Sequence, residues 1–190
     1  MVALIPLAPV VQIMNEKTTH SLDSVGIWGG GFTGGLVGGI AMGLVLHLGA
    51  NQIELLGGLV PGAGTAAAVG WTFHLIISVL FGLVFATLVS RGAVQELVET
   101  FIDYVIVGLA FGALIGLFAG GVLFPVAMAG AGVETLPLPF LPIPGMAGEL
   151  VSALLFALGH LVYGLVLGAV FAAINGITPG VVERRVPLER

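Results

Sequence analysis

Charge is the scarcest property of this chain. Lys and Arg number 5 and Asp and Glu 10 among 190 residues, 8% together, where a soluble domain carries about 25%. So few charges cannot cover a water-soluble domain of this length. The five cations are Lys17, Arg91, Arg184, Arg185 and Arg190, too few for a basic face, so nucleic acid is excluded as a partner. Cysteine is absent, which removes disulfides, iron–sulfur clusters and thiolate zinc sites. Trp and Tyr occur only 2 times each. What fills the chain instead is 58% hydrophobic, with 31 glycines and a mean hydropathy of +1.18. The bilayer is the solvent that suits it, because membrane helices approach one another through small side chains.

Apolar runs long enough to cross lie near 26–48, 66–90, 101–125 and 147–174, each close to the roughly 20 residues that a 30 Å hydrocarbon layer requires. Backbone groups in lipid must be satisfied internally, so the spans are expected to be helices. The fold class expected is all-α: an integral membrane four-helix bundle made of two tandem transmembrane hairpins. Residues 26–91 form the first hairpin and 92–178 the second, flanked by tails at 1–25 and 179–190. Asn175-Gly176 followed by Pro179 is a helix stop. All five cations fall in the tails and the central loop, and none falls in 49–65 or 126–146. The positive-inside rule then puts both termini in the cytoplasm of a cell-membrane protein.

The start, "MVALIPLAPVVQIM", lacks a positive n-region, is broken by Pro6 and Pro9, and does not read as a signal peptide. It reads either as an interfacial lead-in or as residues ahead of a true start at Met14. The segment "GAVQELVETFIDYV" places Val94, Leu97, Val98 and Phe101 on one stripe and Glu96, Glu99 and Asp103 on another, a solvated lead-in to the third helix. "VETLPLPFLPIPG" interleaves prolines with large apolar residues, which excludes regular helix and strand. It is expected to lie on the outer interface or cap the bundle, with a re-entrant loop and cover by a partner subunit as alternatives.

The chain repeats itself. "HLIISVLFGLVFA" from His74 and "HLVYGLVLGAVFA" from His160 agree at six of thirteen positions. The first span carries Gly31, Gly35, Gly39 and Gly43 at four-residue spacing, and the third carries Gly108, Gly112, Gly116 and Gly120. After each ladder come a lone acid, a Pro-Gly pair and a histidine: Glu54, Pro61-Gly62 and His74, then Glu134, Pro144-Gly145 and His160. A hairpin returns the chain to its starting side, so a pseudo-two-fold along the membrane normal is expected, with both histidines at one depth in the outer third. The even spans continue along small residues: Ser78, Gly82 and Ala86 after His74, and Gly164, Gly168 and Ala172 after His160. These are small-xxx-small packing seams.

On "GWTFH" and "GHLVYG", the even spans and their preceding loops resemble a loose group of uncharacterised prokaryotic four-helix membrane proteins. The resemblance covers about half the chain; it implies the topology and no activity.

Intramembrane polar groups are the functional candidates. Three roles are open to His74 and His160. Each imidazole can hydrogen-bond a neighbouring helix through Ser78, Tyr163 or a backbone carbonyl. The two can ligate a b-type haem or border a quinone, although the seams they sit on are built for close contact. They can also relay protons or line a transport path, with Glu149 beside the start of the fourth helix as a participant or as a helix-start acid. His47 extends the first ladder, with Phe124 expected as its counterpart, which breaks the symmetry of any metal site; His20 lies in the polar tail. No HxxxH or ExxH spacing occurs, and "GGGFTGG" opens a membrane helix without following a strand, so it is packing and not a dinucleotide loop. The expectation is a non-enzymatic structural or accessory membrane subunit with the bilayer as partner, alone, as a homo-oligomer or within a larger complex. No resident cofactor is expected; an electron-transfer subunit and a small transporter or channel are the competing readings.

Overall fold

The computed structural model describes residues 23–60, 66–134, 136 and 143–179. Lys17, His20, Arg184, Arg185 and Arg190, the pair Pro61-Gly62 and most of "VETLPLPFLPIPG" lie outside these. Among the described residues there is no strand, and four helices are long and apolar enough to cross a bilayer. The protein is a multi-pass, all-α membrane bundle.

α1 covers Ser24–Ala50, with the Asp23 carboxylate capping the Gly26 amide. It ends at Asn51, whose positive φ of 48° turns the chain without glycine. A short α2, Gln52–Gly58, follows where only a loop is expected from sequence. Its Ile53 and Gly57 press on Gly70 and Ala66 of α3, and a Cβ at Gly57 or Gly70 would run into a carbonyl oxygen. α3 covers Ala66–Val89 and α4 only Gly92–Gln95. The lead-in is therefore not one continuous amphipathic helix. It breaks after α4, and α5 (Phe101–Phe118) starts afresh from a capping box in which Thr100 and Asp103 satisfy each other's amides. Val98 is buried, whereas Leu97 of the same expected stripe is exposed.

The third span does not end at Pro125. Five π-helical residues, Ala119–Leu123, carry α5 into α6 (Phe124–Ala131). Proline has no amide to bond the preceding turn, and the wider π turn absorbs that break. α7 runs Gly145–Ile174 and closes with the amides of Gly176 and Ile177 bonded to Ala173 and Ala172, Gly176 at φ 77°. Asn175 ties this end to α1 by donating to the Gly26 carbonyl at 3.2 Å.

Each hairpin is zipped by glycine. Gly31, Gly35, Gly39 and Gly43 face α3, where a Cβ would meet Gly82 and Ala86, Ser78, or Trp71 and His74. Gly108, Gly112 and Gly116 face α7 at Gly164, Gly168 and His160, and Gly120 faces Phe156. The contacts fix the register. Gly35 meets the Ser78 carbonyl and Gly82 Cα; Gly108 meets the Gly164 carbonyl and Gly168 Cα. Since Ser78 corresponds to Gly164, the partner of Gly35 is Gly108, and the ladders match with a shift of one turn. Gly31 then corresponds to Tyr104, whose carbonyl opposes Gly168 as that of Gly31 opposes Gly82. His47 corresponds to Gly120, not to Phe124 as the unshifted ladders suggest.

The two hairpins meet unequally. On one side α1 offers a second ladder, Gly30, Gly34 and Gly38, into which Phe171, Leu167 and Tyr163 of α7 fit. On the other side α3 presents Phe85, Phe81 and Ile77. With the one-turn shift, α5 meets them with Val107, Phe111 and Ile115, where α1 has Gly34, Gly38 and Met42. Large side chains thus face large ones, and α3 stands off from α5.

Candidate functional site

The space left by that stand-off is a cavity of about 200 Å³ in the half of the bundle away from the start of α1 and the end of α7. α2 covers it on the loop side. Toward the start of α1 and the end of α7, beyond its lining residues, lies a cluster of tilted and edge-on rings: Phe85 is 5.3 Å from Phe111 and 5.6 Å from Phe171, which in turn is 5.6 Å from Tyr104 (ring centroids). Its walls are aliphatic and aromatic except at five residues, Gln52, His74, Ser78, His160 and Tyr163. Ile77 of α3 and Leu123 of the π turn line it and are also exposed, at 41% and 46%, so the cavity reaches the bundle surface between α3 and the third span.

His74 and His160 are both buried. They lie fifteen residues before Val89 and fourteen before Ile174, at matched distance from the termini end. From the loop side they differ, because α7 starts earlier and His160 falls at its middle. Each bonds a backbone carbonyl. His74 Nε2 lies 2.8 Å from the Gly39 oxygen, and His160 Nδ1 lies 2.9 Å from the Phe156 oxygen in its own helix. A carbonyl accepts only, so both ring nitrogens carry hydrogen there. A neutral ring held in this way keeps its lone pair on Nδ1 at His74 and on Nε2 at His160. Ser78 and Tyr163 do not bond the imidazoles. Ser78 Oγ donates to the His74 carbonyl at 2.7 Å, and the Tyr163 hydroxyl donates to the Ser78 carbonyl at 2.7 Å.

Gln52 is the polar group that sequence reasoning missed. Its Nε2 donates to the Ser152 carbonyl at 2.8 Å and to Ser152 Oγ at 3.0 Å, tying α2 to α7. The carbonyl partner fixes the amide orientation and leaves Oε1 buried without a hydrogen bond. The available signal was a glutamine beside the apolar Ile53, Leu55 and Leu56 in "ANQIELLGG".

Glu149 stands elsewhere, exposed on the first turns of α7. With Glu134 it borders a wider groove of about 1100 Å³ along the third span and α7, whose far wall includes His160. His47 and Glu54 approach to 3.0 Å at the loop-side boundary, half-buried. Trp71 stacks edge-on between His47 and His74, at 5.9 and 6.0 Å. Among the described residues no group of three His, Asp or Glu is placed to hold a metal ion.

The Nε2 atom of His74 is engaged by Gly39 and the flank of His160 packs on Gly116. No protein-family model, curated protein or solved structure matches the chain. The chemistry of the cavity has to be read from its own atoms.

Proposed function

We propose that this chain is a cell-membrane protein with cytoplasmic termini, built by duplication of a helical hairpin, that acts as a non-enzymatic accessory component receiving a small lipid-phase molecule between its hairpins. The observation that carries this reading is the unequal pair of seams. Glycines close α1 on α7, whereas bulk on both α3 and α5 keeps the opposite seam apart and leaves a largely apolar cavity opening sideways. Concave, mostly apolar sites with a few convergent polar groups are where small molecules bind. Duplication is supported by the two histidine-headed segments and by glycine contacts that superpose with a one-turn shift.

A channel is less well supported. The clustered rings of Phe85, Phe111 and Phe171 put apolar surface between the cavity and the end of the bundle at Ser24 and Ile174. The bilayer is the partner in this reading, and the exposed Leu114, Leu117 and Val126 of the third span suit lipid or a neighbouring subunit.

The test is native mass spectrometry of the detergent-extracted protein with an added alkylbenzene. The wild type should carry a bound molecule at saturation, and Ala119→Phe, which places a ring in the cavity, should lose it. Equal, non-saturating adducts on both proteins would sink the reading.

A further inference from the structure

The polar atoms of the cavity share one property: their hydrogens are already used. Tyr163 donates to the Ser78 carbonyl, Ser78 to the His74 carbonyl, and both Gln52 hydrogens go to Ser152. Nε2–H of His74 and Nδ1–H of His160 go to Gly39 and Phe156. What remains are lone pairs, on Nδ1 of His74, Nε2 of His160 and Oε1 of Gln52. The last is nine-tenths buried with its residue at 1% exposure and has no partner. A buried acceptor without a donor is costly, so Oε1 of Gln52 calls for a ligand that brings hydrogen, and the imidazole nitrogens on the same wall are further acceptors for one.

Resting on the lipid-phase reading above, we propose that the ligand is a tailed, hydroxyl-bearing six-membered ring, a phenol- or quinol-type head, whose hydroxyl hydrogens point at these lone pairs. A cation also seeks lone pairs, but no carboxylate lines the cavity, and an uncompensated charge there would be expensive. Size agrees with a single ring: a dry cavity of roughly 150 Å³ takes up benzene, and this one measures about 200 Å³. The tail has a route out between Ile77 and Leu123, both on the wall and both exposed toward the bilayer. A ring whose oxygens only accept would set acceptor against acceptor.

The experiment is competition, read by native mass spectrometry on the full chain, between a 4-alkylphenol and its methyl ether. The two match in ring and tail and differ in the hydroxyl hydrogen. The phenol carries one hydroxyl hydrogen and should win by about tenfold, for the single hydrogen bond that the ether cannot make. His160→Phe keeps a ring against Phe156 and removes one lone pair, and Gln52→Leu removes another. Because one hydroxyl hydrogen meets one acceptor at a time, the phenol-to-ether ratio, read within each variant, should fall in the variant that loses the acceptor in use and fall furthest when both changes are combined. An unchanged ratio in the double variant would overturn the proposal. If alkylbenzene binds but phenol and ether compete equally, the donor-headed ligand is wrong and the lipid-phase reading stands. If nothing saturates, both fall. Should Ala119→Phe not fold, Ala127→Phe on the same wall replaces it as the blocked control.

Discussion

Tyr163 of α7 donates its phenolic hydrogen to the Ser78 carbonyl of α3, on a helix that belongs to the other hairpin. The bond passes beside α1 at Gly38, where a Cβ would stand 3.1 Å from the tyrosine ring and 3.0 Å from its carbonyl. A missing side chain on one helix thus lets two others meet.

Tyr163→Phe should cost little, about 0.6 kcal/mol as for other interhelical bonds in membranes, because the Ser78 carbonyl keeps its own helix partner. Gly38→Val should cost several times more, since its added bulk has to displace the ring and backbone of Tyr163. Unfolding in mixed micelles, followed by circular dichroism, ranks the two. A Tyr163→Phe loss as large as that of Gly38→Val would contradict the geometry.

The hairpin seams make a sharper demand. A Cβ at Gly82 meets the Gly31 carbonyl and the Gly35 backbone, and one at Gly164 meets the Gly108 carbonyl and the Gly112 backbone. Backbone cannot swing away as a side-chain tip can. Gly39 and Gly116 meet Ser78 Cβ at 2.5 Å and His160 Cβ at 2.9 Å. Leucine at any of these four should abolish the compact bundle. Gly29→Leu, with nothing within 4 Å, should leave thermal unfolding near wild type. Detergent-extracted Gly82→Leu that melts like wild type would refute the seam.

The number of spans and their helical nature were legible because the length of an apolar run and the absence of charge are local quantities. The four-residue spacing of Gly31 to Gly43 was also visible, but the interleaved Gly30, Gly34 and Gly38 were not separated from it. Two ladders on one helix yield runs such as Gly29-Gly30-Gly31, which look like a single glycine-rich face. The shift of one turn was invisible for a related reason: a ladder of identical residues matches itself at every turn, and only the contacts of Ser78 and Gly164 break the tie. The stand-off of α3 from α5 follows from Phe111 and Ile115 occupying the places of Gly38 and Met42, a comparison that needs the shifted register first. The lone pairs of the cavity depend on which carbonyl each ring meets, Gly39 across a seam and Phe156 within a helix, and spacing does not encode that choice.

The paired histidines invite a spectral test. Because Nε2 of His74 is held by Gly39 and the cavity is small, the purified protein should show no Soret band, with or without added hemin, and His74→Ala and His160→Ala should leave the visible spectrum unchanged. A stoichiometric Soret band lost in either variant would mean that the seams part to admit a macrocycle.

Orientation can be read on a chain that has no cysteine of its own. Gly58, at the end of α2, and Gly92, just past Arg91, are both exposed, and a Cβ at either meets nothing within 4 Å, so cysteine there should be silent for folding. They lie on opposite faces, because α3 crosses between them. Arg91 is a cation just past the end of α3, and in the sequence the four others precede α1 or follow α7. With lysine and arginine retained in the cytoplasm, Gly58→Cys should react with a membrane-impermeant maleimide on intact cells, and Gly92→Cys only after permeabilisation. The reverse pattern would place the termini outside. The cavity, whose floor is α2, would then lie in the cytoplasmic half of the bilayer and draw its ligand from the inner leaflet instead of the outer one.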